Sequence, residues 1–170
     1  MDSGFYATDG QDANFGRRRV VIENVTPEID KGEFAIKREV GDTLTIEADV
    51  FVDGHDEIDA ALLYKKEGES SWHEAKMEFV QNDRWTASFK LEEVGSYRYT
   101  LMGWVDPFAS WHKGLLKKYE ANQDISLELL IGARMVMEVL PRALGQDARR
   151  LEALAATLSS ESLSLEGKIG

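Results

Sequence analysis

Between Gly95 and Leu130 the sequence changes its repeat, and that change constrains the fold more than any other stretch. Over GSYRYTLMGWV, Tyr97, Tyr99, Leu101, Gly103 and Val105 fall on one side of a period-two ribbon. Arg98, Thr100, Met102 and Trp104 fall on the other. The period breaks at Asp106-Pro107. Pro107 cannot donate to a strand ladder, but its fixed φ suits the first turn of a helix. From Phe108 the apolar residues recur at helical spacing through Trp111, Leu115, Leu116 and Tyr119. A β domain is therefore expected to run directly into a helical one.

Upstream, Val20–Val25 reads as a short β-branched strand stopped by Thr26-Pro27-Glu28, with a second extended piece over Phe34, Ile36 and Arg38. The clearest strand alternates Leu44, Ile46, Ala48, Val50 and Val52 with Thr45, Glu47, Asp49 and Phe51, as in an antiparallel sheet with one wet face. Ile58–Tyr64 follows, then a weaker pattern over Trp72–Phe79, and a clean one over Trp85, Ala87, Phe89 and Leu91. About seven short strands, with a turn signal every eight to twelve residues or so, predict an immunoglobulin-like antiparallel β-sandwich.

The helical part reads as three pieces. The first spans Pro107 to Glu120, and the second starts near Asp124, an acid suited to an N-cap, and ends at Pro141. Its stripe of Ile125, Leu129, Ala133, Val136 and Leu140 is widened by Leu130, Ile131, Met135 and Met137. So broad a face predicts burial on more than one side, against the β domain or another chain. The third runs from Asp147 to Leu158, and the tail Ser159–Gly170 is expected to stop in mid-pattern. The class is thus α+β: a flexible leader over 1–17, the β-sandwich over 18–106 and a helical segment over 107–170.

Composition narrows the function. A formal net charge of −11 makes nucleic acid and anionic membrane poor partners, so the Arg17–Arg19 triplet reads as a solvated approach to a strand. No cysteine is present, which removes disulfide and thiolate chemistry. The first residues have no basic start and no apolar core, and no run approaches the ~18–20 residues of a membrane span, so a cytoplasmic protein is expected.

Enzyme motifs are absent: there is no G-x-G-x-x-G, P-loop or G-x-S-x-G. His73-Glu74 begins like a zincin, but Met77 stands where the second histidine would be; His55, His73 and His112 lie in different elements, so no metal site is expected. The acids Asp53, Asp56, Glu57 and Asp59 are explained by a hairpin turn, since Gly54 is misplaced for a calcium loop. No catalytic residue and no cofactor emerges. Of the tryptophans Trp72, Trp85, Trp104 and Trp111, Trp85 shares a face with Ala87, Phe89 and Leu91 and belongs to the core. Trp104 and Trp111 are the candidates for stacking on a sugar ring, with packing against the helices as the competing use.

Six motifs in order carry a family resemblance: RVVIENVTPEID (Arg19–Asp30), F-x-I-K-R (Phe34–Arg38), ADVFVDGHD (Ala48–Asp56), NDRW (Asn82–Trp85), G-x-Y-x-Y-T (Gly95–Thr100) and W-V-D-x-F-x-x-W (Trp104–Trp111). Together, from Arg18 onward, they resemble the N-terminal region of the α-1,4-glucan:maltose-1-phosphate maltosyltransferases, relatives of the α-amylases. The resemblance implies enzymes that transfer maltosyl units to an α-1,4-glucan with retention. It implies an N-terminal sandwich interrupted by an inserted helical bundle, the two forming much of a homodimer interface, with a further sandwich strand after the insertion. Trp104 and Trp111 would then tie bundle to sandwich. The catalytic barrel of the same polypeptide would follow; a barrel needs roughly 200 to over 400 residues, so no catalytic residue can be carried onto this chain. The expected role is a non-catalytic structural and dimerisation domain, with an autonomous α-glucan-binding module as the alternative.

Overall fold

The computed structural model describes residues 20–160. The expected leader, the Arg17–Arg19 triplet and the Leu163–Lys168 run lie outside them. The chain divides into two units that meet between Val105 and Asp106, at the break in the sequence period.

The first unit has seven strands: β1 (Val20–Thr26), β2 (Thr43–Val52), β3 (Ile58–Lys66), β4 (His73–Lys76), β5 (Glu78–Gln81), β6 (Arg84–Lys90) and β7 (Tyr97–Val105). They form two antiparallel sheets, β1-β2-β6-β5 and β4-β3-β7. The period-two patterns decide what each strand buries. Leu44, Ile46, Ala48 and Val50 of β2 and Trp85, Ala87 and Phe89 of β6 are buried, and they share one core with Ala60 and Leu62 of β3. Tyr97, Tyr99 and Leu101 of β7 pack on the same core, half-buried. At roughly 25 cal/mol per Å² of apolar surface, this common core is the main stabilising term of the unit.

Two expectations are corrected. Phe34–Arg38 joins no ladder; Ile29 and Phe34 make one isolated bridge around a tight turn in which Asp30, Lys31 and Gly32 have φ of 46°, 56° and 83°. The reason is in the topology: β1 and β6 occupy both sides of β2, so the segment before β2 finds no free edge there. The weak Trp72–Phe79 pattern is two strands, because the chain changes sheets at Met77. Met77 is fully buried and its N–H donates to Ala60 O at 2.9 Å, which pins the crossing.

A polar cluster locks the register of the four-stranded sheet. The Arg84 guanidinium donates to Asn24 O (2.9 Å), Asp49 Oδ1 (3.1 Å), Thr26 Oγ1 (2.9 Å) and Glu47 Oε2 (3.2 Å), so one side chain joins β1, β2 and β6. Asn24 sits at the irregularity between Glu23 and Thr26 with φ 51°, and its Nδ2 donates to Asp49 Oδ2 at 2.7 Å. The Tyr97 hydroxyl accepts from Glu93 N and donates to Glu93 O, and the Tyr99 hydroxyl donates to Pro27 O at 2.5 Å.

The second unit has α1 (Pro107–Glu120), α2 (Ser126–Val139) and α3 (Gly145–Ser159). Asp106 caps α1, its carboxylate accepting from Ala109 N at 2.8 Å, with Pro107 in the first turn. Asp124 stands one place before the capping position of α2, which Ile125 occupies, and accepts from Ser126 N (3.0 Å) and Ser126 Oγ (2.6 Å). A short turn at Leu140–Arg142, carrying Pro141, ends α2. The core is Leu115, Ile125, Leu129, Ala133, Val136, Ala155 and Leu158.

The Arg84 cluster makes two predictions. Arg84→Lys, a point charge in place of a planar fork, lowers unfolding stability by on the order of 1–2 kcal/mol in urea titrations. The Asn24 amide, then Arg84, hold the Asp49 carboxyl below its ordinary value. Stability from that depression is present above the unfolded-state value near pH ~4 and is lost as pH falls through the lower folded value. Asp49→Asn therefore flattens the loss of urea midpoint below about pH 4; an unchanged acid limb contradicts it.

Candidate functional site

The Asp53–Glu57 connector and β4 hold two of the three histidines, and α1 holds the third. His73 Nε2 lies 3.2 Å from Glu69 Oε2 and its ring stacks on Tyr64, while no group of three potential metal ligands occurs among the described residues. The remaining candidates are the tryptophans and the outward face of α2.

On β7 the side chains alternate as read from the sequence. Tyr97, Tyr99, Leu101, Gly103 and Val105 are half-buried, and Arg98, Thr100, Met102 and Trp104 are exposed. At Gly103 β7 comes close to the opposite sheet: a Cβ there would stand 2.8 Å from Val20 Cγ1 and 3.2 Å from Val50 Cγ1. On the outer face Trp104 stands cross-strand from Asp59, Met102 from Ala61, and Ala61 from Lys76 of β4. Asp59 Oδ2 and Lys76 Nζ are 2.7 Å apart.

Trp111 is placed differently. Its Nε1 donates to Glu128 O at 2.7 Å and its ring lies against Gly132, where an added Cβ would meet Trp111 Cζ2 at 2.0 Å. The indole occupies the room that a side chain at 132 would need, so α1 and α2 approach through this pair. Lys118 bridges to Glu128, and that contact holds the Glu128 carboxyl below its ordinary range. Of the two sugar-stacking candidates, Trp104 presents its ring outward, and Trp111 is engaged between two helices.

The broad stripe of α2 resolves into two faces. Leu129, Ala133 and Val136 are buried, whereas Leu127, Leu130 and Ile131 on the opposite side are 65%, 56% and 43% exposed. Arg134 and Glu138, on that same outward side, pair with each other at 3.0 Å. These three apolar side chains form an exposed cluster on one side of α2. Leu127 and Met102 escaped the sequence reading of function. Leu127 does not fit the i, i+4 stripe, and Met102 looked like one more alternate residue.

Comparison with known proteins decides the family. Residues 18–168 match the family described as "Alpha-1,4-glucan:maltose-1-phosphate maltosyltransferase, domain N/S". The chain belongs to this family. Among curated relatives, the α-1,4-glucan:maltose-1-phosphate maltosyltransferase of Chlorobaculum tepidum is 51% identical over 144 residues, covering 85% of this chain and 22% of the relative. That of Methylacidiphilum infernorum is 44% identical over 117 residues, 69% of this chain and 18% of the relative. That of Myxococcus xanthus is 40% identical over 128 residues, 73% of this chain and 19% of the relative. The chain thus spans about a fifth of the length of these maltosyltransferases, within their N/S domain.

The Trp111–Gly132 contact reverses a usual rule. Gly→Ala inside a helix normally stabilises by about 1 kcal/mol. Gly132→Ala is expected to destabilise the helical unit by roughly 1–3 kcal/mol through overpacking, followed by helical circular dichroism. Trp111→Leu in the same chain makes the alanine tolerable.

Proposed function

We propose that this chain is the non-catalytic structural and dimerisation module of a maltosyltransferase that extends α-1,4-glucans from maltose 1-phosphate. Membership of the N/S family, with about four-fifths of the relatives' length outside the match, supports a module whose chemistry lies elsewhere in the polypeptide, in a catalytic barrel. The observation that carries the dimer is the outward face of α2. Leu127, Leu130 and Ile131 cover its first two turns. A second copy meeting them through an isologous contact would remove all three from water on both partners.

The first unit reads as an immunoglobulin-like sandwich. The orders β1-β2-β6-β5 and β4-β3-β7 correspond to strands A-B-E-D and C′-C-F of that fold. Tyr97, at the start of β7 with its hydroxyl on the Glu93 backbone, takes the place of the corner tyrosine. The next strand of such a sandwich lies beside β7, so the helical unit is read as an insertion between β7 and that strand. No helix among the described residues is long and apolar enough to cross a membrane, which fits the cytoplasmic placement proposed here.

A second reading, an autonomous α-glucan-binding module, rests on the outward ring of Trp104 beside Asp59. A titration with maltoheptaose separates the two: under the structural reading, tryptophan fluorescence and amide shifts stay constant up to millimolar sugar, and a saturable change at Trp104 establishes the second reading.

Under the first reading the chain shows no maltosyl transfer from maltose 1-phosphate and self-associates. Its mass by sedimentation equilibrium approaches twice 19.1 kDa as concentration rises. Ile131→Glu, which desolvates a charge at the interface, returns it to the monomer mass with an unchanged melting temperature. A monomer at every concentration contradicts the dimer.

A further inference from the structure

Two features of β7 remain unsatisfied among the described residues, and they adjoin. The first is its edge. Glu67 N donates to Ser96 O at 2.8 Å in the register of the β3–β7 ladder. Hydrogen-bonded pairs alternate in an antiparallel ladder, so Arg98, Thr100, Met102 and Trp104 exchange backbone bonds with β3. The backbone N–H and C=O groups of Tyr99, Leu101 and Gly103 point away from it. Met77 N donating to Ala60 O confirms the phase, because it assigns the alternate residues of β3 to β4. No strand lies on the other side of β7 among the described residues.

The second feature is the outer face. Met102 is 45% exposed and Trp104 36%, and Ala61 of β3, cross-strand from Met102, is fully buried. An antiparallel sheet with one wet face alternates polar and apolar residues. Here the middle rows of the outer face, Met102–Ala61 and Thr100–Leu63, are largely apolar. The charges around them already engage one another, Asp59 with Lys76 at 2.7 Å and Arg98 with Glu67 at 3.5 Å.

We infer that the outer face of β4-β3-β7, centred on Met102 and Trp104, is the surface on which the remainder of the longer polypeptide docks. This rests on the reading of the chain as an N/S module, and it names the partner surface that reading lacks. The occupant follows from three observations. The matched relatives carry about four-fifths of their length outside the segment, so a large covalently attached partner exists in them. A row of open backbone groups beside an apolar face suits polypeptide, which brings both a strand edge and apolar side chains. A sugar would need free polar groups beside Trp104, and Asp59 and Lys76 are spent on each other. A second copy is the weaker fit, because each chain carries a formal −11 and the dimer contact proposed above uses the α2 face.

The absence of cysteine makes the test direct. Met102→Cys places a single thiol on the face, and Ser88→Cys, exposed on β6, serves as the control. Alkylation by N-ethylmaleimide is followed by mass spectrometry of the peptide containing each thiol, in this chain and in the full-length maltosyltransferase that carries it. The thiol at 102 is expected to react at least tenfold more slowly in the full-length protein, with the control unchanged within twofold. Equal rates at 102 overturn the inference. So does slowing in this chain alone, either by maltoheptaose (a sugar site) or by rising protein concentration (a second copy). Thr100→Cys, on the same face, repeats the test should Met102→Cys lower the melting temperature. The readout does not depend on dimerisation, so failure here and failure of the dimer are distinguishable.

Discussion

The nine-residue pairing of β3 with β7, from Ile58 opposite Val105 to Lys66 opposite Tyr97, is the constraint on which the rest depends. It fixes which side of β7 faces the core, which side faces out and which backbone groups remain open. A slip of one residue would turn Tyr97, Tyr99 and Leu101 to water and carry Arg98 and Trp104 into the core. Gly103 shows how tight the arrangement is, since even a methyl group there would meet Val20 and Val50. Because β7 runs straight into α1 through the Asp106 cap, the register also sets where the helical unit begins.

Within the first unit, side-chain hydrogen bonds fix the four-stranded sheet and tie β7 to its surroundings. Arg84 ties three strands, and the tyrosine hydroxyls of β7 reach Glu93 and Pro27, the latter next to the Thr26 that Arg84 holds. These bonds are directional where the apolar core is not, so they select among registers that would bury similar area. In the second unit Trp111 does the same for two helices, through one hydrogen bond and one glycine.

Much of this was legible in the sequence. The alternation in β2 and β6 predicted their buried residues, that in β7 sorted its half-buried from its exposed side, and α1 has the bounds that Pro107 and the helical spacing implied. Trp85 is in the core for the reason its neighbours gave. What failed depended on partners far along the chain. Phe34–Arg38 has strand-like residues but no open edge, and the crossing at Met77 follows from two sheets that no local pattern reveals. Gly132 looked unremarkable in sequence because its meaning comes from an indole on another helix. The surfaces were half visible. The breadth of the α2 stripe was plain in the sequence, but only the structure separates its inward residues from the exposed Leu127, Leu130 and Ile131.

The central claim is that β7, bonded on one side only among the described residues, offers its free edge and outer face to more polypeptide. Residue-resolved amide hydrogen exchange of the 170-residue chain tests it most directly. An alternating pattern is predicted, with Thr100, Met102 and Trp104 protected by β3 and Tyr99, Leu101 and Gly103 exchanging at least tenfold faster. Uniform protection from Tyr97 to Val105 would mean that the edge is already filled, and would contradict the claim.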